Sequence, residues 1–126
     1  MRDFKKYYTV PALPEEVFAG LTFKPTIELW TGFSAEFKLE KGTEFSMWDG
    51  DISGKVLDFE HAKMLQEQWY FGEQKEISIV TLKFHEHKKG TSLEVHHTNI
   101  PTETYDDIVD GWSGVFMKEL IDFYKD

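Results

Sequence analysis

No cysteine occurs in the 126 residues. The chain can therefore hold no disulfide framework, thiolate zinc site or cysteine nucleophile, and only His and carboxylate remain as metal ligands. Long hydrophobic runs are missing too. No stretch approaches the roughly eighteen apolar residues of a membrane span, and the opening MRDFKKYYTV is charged, without the apolar core of a leader. The expectation is a cytoplasmic protein with no membrane insertion. Positive charge is scarce: 14 Lys+Arg against 23 Asp+Glu leave a net charge of −9. That balance repels phosphate backbones and anionic lipid surfaces, so no nucleic acid is expected as a partner. Gly-X-Ser-X-Gly, P-loop and dinucleotide-binding patterns are absent, and Ser46 and Ser53 have no evident His–acid pairing. No cofactor and no catalytic set is expected.

The chain is rich in aromatics, with 11 Phe, 5 Tyr and 4 Trp in a composition that is 40% hydrophobic. Such a chain can fill a large core, or line a cavity, within one domain spanning residues 1–126. Residues 3–10 read as a first strand, stopped by Pro11 and Pro14. Two short helices follow. Pro14-Glu15-Glu16 opens one with Val17, Phe18 and Leu21 on a single face, and Pro25 opens another, which carries Ile27 and Trp30 and stops at Gly32. From Ser34 the period becomes two, and six segments alternate with turn signals: AEFKL, TEFSMW, DISGKVLDFE, MLQEQWYF, ISIVTLKFHEH and TSLEVHHTN. Asp49-Gly50 is the sharpest hairpin signal, because both residues tolerate positive φ; Lys89-Gly90 is a weaker one.

After Pro101 the period returns to helical. Tyr105, Ile108, Val109, Trp112, Val115, Phe116, Leu120 and Phe123 form one stripe over about five turns, with Asp106, Asp107 and Asp110 early and Lys118 and Lys125 late on the other side. The expected architecture is α+β: a seven-stranded antiparallel sheet wrapped around this C-terminal helix, with two short helices after strand 1. A curved sheet around one helix leaves space that a single row of side chains need not fill, so a cavity is the expected by-product.

The ordered series Gly42-Thr43-Glu44-Phe45-Ser46-Met47-Trp48-Asp49-Gly50, Ile52-Ser53-Gly54, Gln68-Trp69, Ser78-Ile79-Val80-Thr81-Leu82, Asn99-Ile100-Pro101 and Gly111-Trp112 resembles the conserved domain of activator of heat-shock-protein-90 ATPase homologues. The resemblance spans about residues 3–124. It implies a helix-grip fold of the START-like superfamily, with a hydrophobic pocket between sheet and helix. That superfamily mixes ligand carriers with enzymes, so no one activity is implied.

Several side chains carry candidate chemistry. His85 and His87 share a strand face, as a metal pair would, but Val80, Leu82 and Phe84 take the apolar side, which puts both histidines with Lys83 toward water. In the last strand Leu93, Val95, His97 and Asn99 form the inward set, so His97 is either a core histidine satisfied by a neighbour or a ligand contact. Glu67 shares a face with Leu65 and Trp69. It is either an inward carboxyl that finds a partner or shifts its pKa, or a strand-end group that reaches water. A meeting of Glu67 with His97 would make a polar pair able to orient a ligand or move a proton. Met47, Trp48, Trp69, Phe71, Phe84, Trp112 and Phe116 are the expected pocket wall. The expected function is binding of a small hydrophobic or amphipathic molecule, oriented by Glu67 and His97. Two other readings are a docking module that meets a chaperone through acidic surface, and a cyclase- or hydrolase-like enzyme.

Overall fold

The computed structural model describes residues 1–72, 74 and 76–125. Strand β1 (Arg2–Val10) is followed by helices α1 (Pro14–Thr22) and α2 (Lys24–Thr31). Then come β2 (Glu44–Met47), β3 (Ile52–Glu60), β4 (Met64–Trp69), β5 (Ser78–His87) and β6 (Gly90–Ile100), and the chain closes with α3 (Tyr105–Gly111) and α4 (Met117–Tyr124). The strands form one antiparallel sheet in the order β1-β6-β5-β4-β3-β2. The first strand thus lies beside the last, and α1 and α2 carry the chain to the opposite edge.

Among the described residues the sheet has six strands, not the expected seven. AEFKL makes a single bridge, with Glu36 and Ser46 exchanging two backbone hydrogen bonds of 2.9 Å. On either side the segment is tied to other groups. The Ala35 amide donates to Glu28 on α2 at 3.0 Å, Lys24 pairs with Glu36 at 3.1 Å, and the Glu40 amide turns back onto the Lys38 carbonyl at 2.8 Å. Its alternating apolar residues serve packing instead, with Ala35 buried and Phe37 and Leu39 lying against the core. Period-two spacing marks the face of an extended segment but supplies no partner edge to pair with.

Alternation does predict the faces of the paired strands. Val80, Leu82 and Phe84 are buried while Lys83, His85 and His87 are exposed, and Leu65, Glu67 and Trp69 all point inward. On β6 the alternation breaks at one residue. Leu93, Val95 and His97 are buried, but Asn99 turns to a left-handed φ of 57° and Ile100 enters the core in its place. Between the pairs Phe4–His97 and Arg2–Ile100, β6 spends one residue more than β1, which is a bulge; Asn suits it because its short side chain tolerates this backbone.

The terminal helix also departs from the expected single five-turn rod. A 3₁₀ turn at Thr102–Thr104 leads into α3, and a π turn at Trp112–Phe116 separates α3 from α4. The wider turn adds a residue and rotates everything after it. Trp112, Phe116, Met117 and Leu120 are therefore buried, whereas Val115 is half exposed and Phe123 faces outward, giving its place in the stripe to Tyr124. At the far end the contact is tight: the Tyr124 hydroxyl donates to the Glu16 carbonyl at 2.7 Å, and a Cβ on Gly20 of α1 would collide with that hydroxyl.

Candidate functional site

The near end of the helix–sheet interface is open. No residue of α3 is buried, and between α3 with its π turn and the rim made by the β2–β3 connection and the end of β4 lies a cleft of about 310 Å³. Trp48, Asp51, Ile52, Ser53, Trp69, Tyr70 and Phe71 line it from the sheet side, and Asp107, Ile108, Gly111, Trp112, Val115 and Phe116 from the helix side. The volume falls at the low end of the roughly 300–1,000 Å³ typical of ligand pockets.

Its wall is a connected aromatic cluster. The Trp69 and Trp112 rings stack at 4.9 Å and 18°, and Phe116 touches Trp112 at 4.6 Å, Trp30 at 5.4 Å and Trp48 at 5.6 Å between centroids. Trp48 is placed by strained backbone. Trp48, Asp49 and Gly50 have φ of 50°, 55° and 96°, so the β2–β3 hairpin uses a four-residue loop rather than a two-residue turn at Asp49-Gly50. Side chains with a Cβ avoid this region, the more so when bulky. The loop is held by a clasp to the segment after α2, in which the Asp49 amide donates to the Ser34 carbonyl at 3.0 Å and the Ser34 amide to the Asp49 carboxylate at 3.2 Å. Trp30 then meets Trp48 edge to face at 5.3 Å.

Behind this wall sit the two polar candidates. Val56, Glu67, Val80 and His97 occupy one row across β3, β4, β5 and β6. Glu67 and His97 are therefore two strands apart, about 10 Å at the Cα atoms from a strand spacing of about 4.8 Å, with fully buried Val80 between them. Each is bound to its own tryptophan. The Trp112 Nε1–H donates to His97 Nδ1 at 3.1 Å, and His97 Nε2 lies 2.8 Å from Ser78 Oγ, whose hydroxyl donates to the Thr98 carbonyl at 3.1 Å. An indole N–H can only donate, so Nδ1 carries the lone pair and Nε2 the proton. Every partner is satisfied by the neutral ring. Burial holds the His97 pKa down to about 3, and a proton on Nδ1 would face the indole N–H head on.

Glu67 accepts one hydrogen bond, from Trp69 Nε1 at 3.1 Å. Burial pushes its carboxyl up to about 7, with the indole hydrogen bond opposing in part. Like His97 it is a buried polar group in this row, and it lies behind Trp69 rather than on the cleft.

Of the nine residues expected at a ligand site, Trp48, Trp69, Phe71, Trp112 and Phe116 line the cleft. Met47 is packed in the core, Phe84 meets Phe18 of α1 edge to face at 5.3 Å, and Glu67 and His97 stand behind the indoles. Asp51, Ser53, Tyr70, Asp107 and Gly111 were not among the expected site residues. Asp107 and Gly111 lie one residue before Ile108 and Trp112 on the predicted stripe, which was a usable signal; nothing local marks Asp51 or Ser53. On the outer face His85 pairs with Glu94 at 2.9 Å, and His87 accepts from the Lys89 amide at 3.0 Å. No cluster of three or more His, Asp or Glu that could hold a metal occurs among the described residues, and none of their helices is long and apolar enough to cross a membrane.

An antiparallel sheet closed by a C-terminal helix, with an aromatic cleft between the two, places the molecule among the helix-grip proteins. The chain belongs to the family of activator of Hsp90 ATPase homolog 1-like proteins, whose model matches residues 11–122. Human activator of 90 kDa heat shock protein ATPase homolog 1 is 25% identical over 109 residues, covering 85% of this chain and 32% of the human protein; this chain thus spans about a third of that relative's length. Among solved structures, an HSP90 activator from Plasmodium falciparum superposes with a TM-score of 0.86 at 26% identity, covering 98% of this chain and 97% of that one. The Aha1 dimer from Colwellia psychrerythraea shares the fold with a TM-score of 0.83 at 16% identity, over 98% and 96% of the two chains.

Proposed function

We propose that this domain is a binding module that takes a small hydrophobic or amphipathic molecule into the cleft between α3 and the sheet rim. The observation that carries this reading is Gly111. It sits within the helical segment, where glycine costs roughly 0.5–1 kcal/mol relative to alanine, and no atom lies within 4 Å of where its Cβ would be. Neither close packing nor backbone geometry requires a glycine there, and Gly111 lines the cleft, so a larger side chain at this position would take up space beside it. Aromatic contact supplies the affinity, at about 25 cal/mol per Å² removed from water before the costs of binding. The acid–base pair that a cyclase-like reaction would draw from Glu67 and His97 does not form, because Val80 separates them.

Three tryptophans, Trp48, Trp69 and Trp112, face the cleft, so intrinsic fluorescence reports occupancy. A neutral apolar probe such as N-phenyl-1-naphthylamine should quench it saturably. Gly111→Leu, which fills the open space, should fold normally and lose uptake; unchanged uptake by folded Gly111→Leu protein would defeat the assignment.

A second reading, docking on a chaperone, is favoured by the likeness to the human and Plasmodium activators and by the net charge of −9. Binding through surface charge weakens steeply with ionic strength, whereas uptake of an uncharged apolar guest does not. Titrating a purified Hsp90 at low and high salt separates the two.

A further inference from the structure

The cleft is apolar in its depth and one-signed at its mouth. Its two charged lining residues are Asp51, on the β2–β3 connection, and Asp107, on α3, so a carboxylate stands on each of the opposing walls. Among the described residues no Lys, Arg or His lines the cleft, and neither aspartate has an ion-pair partner. The indoles of Trp48, Trp69 and Trp112 line the same cleft. An indole ring carries partial negative charge on its face and attracts cations more strongly than any other side-chain ring. The Trp69 and Trp112 faces are turned on each other and buried, so it is the half-buried Trp48 ring that acts in the same direction as the unpaired carboxylates. An anionic amphiphile such as a fatty acid would bring its carboxylate against two others, while an ammonium or amidinium would meet complementary charge on both walls.

We propose that the guest of this cleft is an organic cation, a molecule with an aromatic or branched apolar body and one ammonium-type group. The body lies against the Trp69–Trp112 stack and the cationic group lies at the mouth between Asp51 and Asp107. This deepens the container reading and rests on it.

The test uses three probes with one body and different charge: 1-naphthylmethylammonium, 1-naphthylmethanol and 1-naphthoate, titrated calorimetrically into the full chain. At low salt the ammonium should bind about fivefold tighter than the alcohol, the magnitude of one exposed cation–π contact with weak ion pairing, and the carboxylate weakest. The preference should fall at 0.5 M salt and in the Asp51→Asn/Asp107→Asn double variant to the part that the indole contact alone supplies. The alcohol should bind that variant as it binds the parent. An ammonium that binds no tighter than the alcohol, or a naphthoate that binds tightest, overturns the charge inference and leaves the container intact. Absence of binding by all three probes defeats the container reading and this inference with it. Displacement of the naphthylammonium by an oligolysine peptide lacking any aromatic body would mean that the cleft reads a protein partner's cations, and would overturn the assignment to a small molecule.

Discussion

The two ends of the helix–sheet interface are built on opposite principles. Around α4, Met117 and Leu120 have no exposed surface, and Tyr124 reaches α1 so closely that a side chain on Gly20 would displace its hydroxyl. Around α3 no residue is buried, and Gly111 leaves open space where a side chain could stand. One glycine makes room for a contact and the other keeps a gap. The π turn marks the changeover, because the residue it adds sends Phe116 and Met117 together into the core and leaves Val115 half outside. One continuous helical segment thus both closes the core and walls a cleft. Trp112 belongs to both functions, being buried, stacked on Trp69 and bonded to His97.

Breaking the shared residue should do most damage. Trp112→Ala removes a buried aromatic and leaves His97 Nδ1 without its donor, so it should cost about 4 kcal/mol in urea unfolding and also abolish probe uptake. Leu120→Ala, confined to the packed end, should cost about 3 kcal/mol while uptake persists. If the two properties fell together in Leu120→Ala protein, the division between the ends would be wrong.

The pH dependence sharpens the same picture from behind the wall. The Glu67 carboxyl is raised from 4.5 to about 7, so its contribution is complete below pH 4.5 and is lost as pH rises through 7. The His97 ring is lowered from 6.5 to about 3, so its contribution is complete above pH 6.5 and is lost as pH falls toward 3. Over pH 4.5–6.5 the two slopes oppose each other. Glu67→Gln removes only the first, and between pH 5 and 7.5 the parent should lose on the order of 2–3 kcal/mol more stability than the variant. Equal losses in the two proteins would mean that Glu67 ionises normally.

The glycines give the smallest effects and opposite signs. Gly20→Ala should destabilise by about 1–3 kcal/mol through overpacking against Tyr124. Gly111→Ala should stabilise by about 0.5–1 kcal/mol and reduce the affinity of the naphthyl probes. Thermal melts with a parallel titration check both.

Much of the fold was legible from spacing. The faces of β4, β5 and most of β6, the two short helices and the site of the β2–β3 hairpin follow from periods of two and 3.6 and from the positions of Pro, Gly and Asp. His97 could be read as inward, and its environment decides for the satisfied core histidine, bonded at both ring nitrogens. Glu67 could be read as inward too, but not that it would sit behind Trp69. The misses share a cause. AEFKL has the alternation of a strand but is tied to α2; Asn99 and the π turn each change the count by one residue, and that choice is made by packing against distant segments.

Composition and periodicity alone determined an acidic, cysteine-free α+β chain with an aromatic helix over an antiparallel sheet, because burial of apolar faces is written in local repeats. Where the helix and sheet meet and where they part was decided only in three dimensions. A cleft is a mismatch between surfaces far apart in sequence, and here residues 51–53 face residues 107–116 across it. No local pattern in either segment encodes the shape of the other.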